Sequence, residues 1–197
     1  MQSGYLVRAM SLVFLVVIFE DFMQKILTIS YRKKPEALRS CQKRLSYEEL
    51  LKFGDISDVK ERIIEKETGI VNEDIETIRE YVQKKFGIDI SVLSSEDRQK
   101  IHALASKIFK TNKPYTWVDF KERFYRRNVI IHNSGIPNKI YRQKTGYQGN
   151  NEELSLSTDY LNESLALFWE LGFNIGLTFE EKMKDSKAET GSDNTKS

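Results

Sequence analysis

Hydrophobic positions recur at three- and four-residue intervals along most of this chain, the period of an amphipathic helix. The first run, MSLVFLVVIF at residues 10–19, is apolar throughout and passes through Glu20 and Asp21 into an amphipathic continuation, FMQKILTISYRKK. A long buried helix over about residues 11–32 is predicted. Pro35 ends it, because the residue before a proline is held away from helical backbone angles. Residues 36–45 read as a short helix or connection, and residues 47–53 as a short helix ended by Gly54. Residues 58–68 form another, with Ile63 and Ile64 inward and Gly69 as its stop. Asn72 is the predicted N-cap of a helix that reaches Phe86 with Ile75, Ile78, Tyr81 and Val82 inward, and Gly87 stops it. Residues 87–93, GIDISVL, alternate like a strand but read as an extended linker. A helix over residues 95–110 turns Ile101, Leu104, Ala105 and Ile108 inward, and a turn around Pro114 follows. The next helix covers residues 116–133 and stops at Asn133 to Gly135. Residues 136–153 read as a polar loop. Ser157 and Asp159 open a last helix over residues 160–183, with Leu161, Leu165, Phe168, Leu171 and Ile175 inward. The fold class is all-α: an up-and-down helical bundle with additional short helices in the middle of the chain.

Composition narrows the class. At 197 residues, 40% hydrophobic and 30% charged, the chain has the length and apolar content for a single helical domain over residues 1–183. The tail, residues 184–197, has no apolar residue beyond one alanine and is expected to be disordered. The single cysteine, Cys41, excludes an internal disulfide framework and fits a reducing, cytoplasmic setting. One cysteine and two histidines do not make a zinc site of the Cys/His kind, so neither metal nor cofactor is expected. The apolar run falls short of the ~18–20 residues that span a membrane. It also lacks a small-residue cleavage site, so a buried helix is expected rather than a secretory leader or a membrane anchor.

Charge is informative only locally. The net charge is +2, yet residues 46–106 hold fourteen acids against nine bases, and residues 107–144 hold ten Lys or Arg against two acids, a balance of +8. This basic block is interleaved with Tyr115, Trp117, Tyr125 and Tyr141. Such a surface neutralises phosphates and stacks bases, and RNA is the expected partner. The candidate RNA contacts are Lys121, Arg123, Arg126, Asn133, Lys139, Tyr141 and Arg142. The plainer alternative is a solvated helix face beside a core aromatic stripe.

Inside the block, the stretch FKERFYRRNVIIHNSG (residues 120–135) carries candidate chemistry. At about 100° per residue, Trp117, Phe120, Phe124 and Ile131 share one apolar arc. Arg127 falls within that arc, and Asn128 and His132, four apart, stack along its edge. Polar groups on a face that should be dry need partners or a purpose. A histidine can exchange a proton near neutral pH, and an arginine can pair bidentately with phosphate and stabilise its transition state. No carboxylates cluster beside the motif, which disfavours two-metal hydrolysis. The remaining chemistry is attack of a ribose 2′-hydroxyl on the adjacent phosphate, leaving a 2′,3′-cyclic phosphate and a 5′-hydroxyl. That reaction wants one base and one acid. A single histidine per chain therefore suggests a two-fold dimer that shares the cleft. His102, alone on its helix, reads as structural or exposed.

Arg127-Asn128-Val-Ile-Ile-His132, followed by Asn133 and Gly135, resembles the RNxxxH form of the motif of HEPN-superfamily ribonucleases. The opening helix, FLVVIFEDFMQKIL leading to Lys-Lys-Pro-Glu, is similar to the first helix of several bacterial HEPN families. As an arrangement the likeness covers residues 10–183, with motif-level similarity in these two stretches. The resemblance implies a homodimeric helical bundle cutting RNA without metal, with Arg127 and His132 catalytic and Asn128 the polar residue after the arginine. Many such domains act as toxins or in abortive infection, which makes an antitoxin or regulatory protein an expected partner. Others are non-catalytic modules that bind RNA, nucleotide or a partner protein, and this alternative stays open. Residues 46–93 carry no motif of the family.

Overall fold

A computed structural model describes residues 3–40, 44–92, 95–111 and 114–191; Cys41 lies outside them. Among the described residues there is no strand. The helices are α1 (Ser3–Lys33), α2 (Tyr47–Leu50), α3 (Ile56–Thr68), α4 (Ile75–Phe86), α5 (Ser95–Phe109), α6 (Trp117–Asn133), α7 (Lys139–Thr145) and α8 (Thr158–Gly191). Short 3-10 helices occupy Pro35–Ser40 and Gly69–Asn72. No helix among the described residues is long and apolar enough to cross a membrane. The chain is all-α.

Most punctuation falls where residue chemistry puts it. The Thr116 side chain accepts from the Asp119 amide at 3.2 Å, and the Thr116 amide donates to the Asp119 carboxylate at 3.0 Å. This reciprocal cap fixes the start of α6 and is worth about 0.5–2 kcal/mol. Gly87 ends α4 in the left-handed region, at φ 67°, where glycine carries no Cβ penalty. The cap of α4 is Asp74, which accepts from the Glu76 amide at 3.0 Å; Asn72, the expected cap, ends a 3-10 turn and donates to the Gly69 carbonyl. Residues 136–153 are not all loop, since α7 lies within them, capped by Asn138 and closed by Gly146 at φ 73°. Its seven residues bury only Tyr141, too little for a helical period to show. At the other end, α8 runs past residue 183 to Gly191, and residues 192–197 lie outside the described residues.

Two compact units make up the chain, one of residues 1–19 and 91–175, the other of residues 20–90 and 176–197. Both α1 and α8 divide their residues between them. The first unit is centred on Phe19, Phe120 and Phe168, whose ring centroids lie 4.8–5.6 Å apart, with Trp117 stacked on Phe120 at 5.1 Å. Burying each such ring contributes about 1.5–3 kcal/mol. Ile101 and Ala105 of α5 are buried here, whereas Leu104, Ile108 and, on α8, Leu165 are exposed. Among the described residues the buried face of α5 is a single i, i+4 row, and the expected inward residues Leu104 and Ile108 stand on the next row. In the second unit, Tyr31 and Phe179 pack on Phe86 at 5.2 and 5.5 Å, beside Ile75, Ile78, Val82 and the buried Ile88 and Ile90 of the non-helical segment.

The outer face of α1 changes character along its length. Opposite the buried row of Ala9, Leu12, Val16 and Phe19, the side chains of Leu6, Val7, Met10, Phe14, Val17 and Ile18 are 47–66% exposed. Beyond residue 20, Asp21, Gln24 and Lys25 occupy that face, and Lys25 pairs with Asp21 at 2.6 Å.

Candidate functional site

The motif helix α6 is enclosed on most sides. It buries Phe120, Arg123, Phe124, Tyr125 and Val129. The strip left open carries Trp117, Lys121 and Asn128, half-buried, then Ile131 and His132, exposed. At about 100° per residue these five fall within one arc of about 100°, which also contains the buried Phe124, while Val118, 62% exposed, lies outside it. Asn128 and His132 therefore stand toward the accessible side of the helix, and Ile131, expected to be buried, is 49% exposed beside them. Arg127 lies at the margin of the strip, half-buried, its guanidinium 5.0 Å from the Phe124 ring centre. The helix closes with Ser134 at φ 50° and Gly135 at φ 80°. Asn133 donates to the Ile136 carbonyl, and the Leu154 amide donates to the Gly135 carbonyl at 2.9 Å. A side chain at Gly135 would overlap the Tyr5 hydroxyl. The Asn-Ser-Gly that follows His132 is thus a helix stop and a point of close approach.

The candidate RNA contacts divide sharply. Arg123 is 3% exposed and donates to the Asp119 carbonyl at 3.1 Å and Ser164 Oγ at 3.3 Å. Arg126 Nε donates to Glu122 Oε1 at 2.6 Å and its Nη1 to the Ser155 carbonyl at 2.8 Å. Tyr141 and Tyr160 donate to the same Glu122 carboxylate at 2.6 and 2.7 Å, and the Arg126 guanidinium lies 4.3 Å from the Tyr160 ring centre. Burial disfavours the Arg126 charge, but Tyr160 and Glu122 outweigh it and hold the guanidinium more firmly protonated than usual. Burial, then Glu122, pushes the Tyr141 phenol up. Arg142 clamps the following loop through the carbonyls of Gly149 and Asn150 and the Asn151 side chain. Asn133 serves the helix stop. Lys121, half-buried, and Lys139, exposed, complete the set.

Two participants were not singled out from the sequence. Glu122, the acceptor at the centre of this network, had as its one signal a position four before Arg126. Glu170, 2% exposed on α8, lies 2.8 Å from His102 Nδ1. A carboxylate only accepts, so Nδ1 carries the hydrogen and Nε2 faces Ser106 Oγ at 3.5 Å. His102 is thereby a buried-acid partner joining α5 to α8, sixty-eight residues from Glu170 in sequence.

No protein-family model matches the chain, nor does any curated protein or solved structure.

Proposed function

We propose that this chain is one half of a homodimeric, metal-independent endoribonuclease of the HEPN kind, acting as a toxin or phage-defence effector in the cytoplasm. The observation that carries the reading is the open side of α6, which holds the exposed His132, with Asn128, half-buried, one turn before it and Arg127, half-buried, beside Asn128. A histidine in that position can take the proton of a ribose 2′-hydroxyl as its oxygen bonds to phosphorus. The bond from phosphorus to the 5′-oxygen breaks, and a second acid returns a proton to that oxygen. The partner copy's motif would supply the second group, with Arg127 neutralising charge on the phosphoryl oxygens. The apolar outer face of α1, over residues 6–18, supports the dimer, because a bounded exposed apolar patch marks an interaction surface.

A second reading, a non-catalytic HEPN-like module, draws on the fate of the basic block. Arg123, Arg126 and Arg142 are engaged inside the chain, which reduces the cations facing a nucleic-acid backbone. One experiment separates the two. Purified protein is incubated with total bacterial RNA in EDTA, and His132→Ala should lose about 10²–10⁴-fold of the cleavage rate while keeping its thermal midpoint and its dimer. Cleavage by wild type should resist the chelator and leave cyclic-phosphate ends. Equal silence from folded, dimeric wild type and mutant would favour the binding module. Phe14→Glu should convert the dimer to a monomer in sedimentation; a dimer that persists would remove the α1 face from the interface.

A further inference from the structure

Away from α6, the side chains of Glu170, His102 and Ser106 stand in line. The Glu170 carboxylate, 2% exposed, lies 2.8 Å from His102 Nδ1, and His102 Nε2 lies 3.5 Å from Ser106 Oγ. With the hydrogen held on Nδ1 by the acid, Nε2 is left with its lone pair. A lone pair facing a hydroxyl is a base facing a nucleophile, and the buried carboxylate fixes the tautomer that this needs. The 3.5 Å separation is long for a hydrogen bond, but bonds of this kind tighten when substrate is bound. The His102 side chain is 29% exposed and Ser106 is half-buried, so both are open to a small molecule. An ion pair serving only to join α5 to α8 would use Nδ1 alone.

One turn further along α5 there is room for a substrate. Phe109 follows Ser106 by three residues, a spacing that makes side chains neighbours on a helix. With Ile108, Lys110, Asp159, Asn162 and Glu163 it walls a cavity of about 600 Å³, within the range of ligand sites. Phe109 and Ile108 make its apolar side, and the Trp169 ring centre lies 6.3 Å from that of Phe109. Asp159 and Glu163 outnumber Lys110, which disfavours an anionic substrate such as RNA. An uncharged ester with an apolar acyl group suits these walls.

We propose that Ser106, His102 and Glu170 are a nucleophile, base and orienting acid that hydrolyse small uncharged carboxylic esters held in this cavity, an activity independent of the one read on α6. Ser106 Oγ bonds to the carbonyl carbon as its proton passes to His102 Nε2. The bond from that carbon to the alcohol oxygen breaks, and Nε2 returns the proton to the departing oxygen. Water then repeats the sequence on the acyl-serine: its oxygen bonds to the acyl carbon, the bond to Oγ breaks, and the carboxylic acid leaves with Ser106 restored. Lys110, on the cavity wall, supplies positive charge for the carbonyl oxygen while it is negative.

The test is reaction of the full chain with phenylmethylsulfonyl fluoride, whose ring suits the Phe109 wall and whose sulfonyl group passes to an activated serine oxygen with loss of fluoride. Mass mapping of wild type should place one sulfonyl group on Ser106. His102→Gln, which keeps an N–H donor for Glu170, should slow that attachment about 10²–10⁴-fold. Hydrolysis of p-nitrophenyl butyrate should be lost in Ser106→Ala at an unchanged thermal midpoint. A wild-type chain that takes up no sulfonyl group, or takes it up elsewhere, would overturn the triad. So would attachment to Ser106 at an equal rate in His102→Gln, or ester hydrolysis undiminished in Ser106→Ala. RNA cleavage in EDTA reads the α6 site separately, so either activity can fail alone.

Discussion

In the first unit Glu122 accepts hydrogen bonds from Arg126, Tyr141 and Tyr160, with Arg123 a further 3.6 Å away. In the second, Glu67 accepts from Tyr81 at 2.5 Å, and the Tyr81 hydroxyl in turn meets that of Tyr31. Both arrangements draw a carboxylate inward and both use tyrosine, but the first adds guanidinium groups. The difference follows the charge of the chain that builds each unit. Residues 107–144 of the first hold ten bases and two acids, so α6 has arginines to direct inward; residues 46–90 of the second hold twelve acids and seven bases, and there a chain of phenols reaches the acid. A basic stretch is therefore not the same thing as a basic surface. Much of this one holds α6, α7 and α8 together, and the groups left on the open strip are those at the end of the helix.

Removing the charged centre of the first unit carries the largest expected cost. Glu122→Ala leaves Arg126, whose side chain is 12% exposed, without its carboxylate and strips two buried phenols of their acceptor. Breaking a pair of this kind costs about 3–5 kcal/mol, because an uncompensated charge stays inside. Urea denaturation should show that loss, with Glu122→Gln losing less because the amide oxygen still accepts from the phenols. A change below about 1 kcal/mol in Glu122→Ala would mean that the cluster is as well solvated as a surface pair.

The same cluster marks where sequence reasoning stops. Helix starts and stops at Thr116, Gly87 and Ser157 were legible because caps and left-handed glycines act within four residues of themselves. The inward row Ile75, Ile78, Val82 was legible because it repeats with the helical period. Arg123 and Arg126 read as surface cations, since clustering of charge along the chain gives its sign but not the direction of a side chain. Their partners Ser164 and Ser155 are forty-one and twenty-nine residues away. His102 looked alone for the same reason. Ile131 was misplaced by a different error: a helical wheel assumes that the packed face continues to the last turn, and on α6 it does not. The placing of Asn128 and His132 together was legible from their spacing of four, whereas the close approach of Tyr5 and Glu153 to Gly135 joins residues almost the whole length of the first unit apart in sequence.

The smaller effect belongs to the second unit. Tyr81→Phe keeps the ring and removes one hydroxyl, so Glu67 loses this donor and Tyr31 loses this partner. A hydrogen bond to a charged group is worth about 1.5–3 kcal/mol, less than the cost of stranding a guanidinium. The ordering of the two variants is thus itself a prediction, with Tyr81→Phe the milder. The pH dependence sharpens it. Burial, then the bond to Glu67, raises the Tyr81 pKa. A phenol raised in the folded state stabilises fully below its unfolded value near 10, and that stabilisation declines as pH rises from there through the folded value. The stability gap between wild type and Tyr81→Phe should be constant from pH 7 to 9 and narrow by pH 11 in denaturation curves. A gap that stayed level to pH 11 would mean that Tyr81 ionises alike in the folded and unfolded chain, so that the phenol chain to Glu67 does not hold in solution.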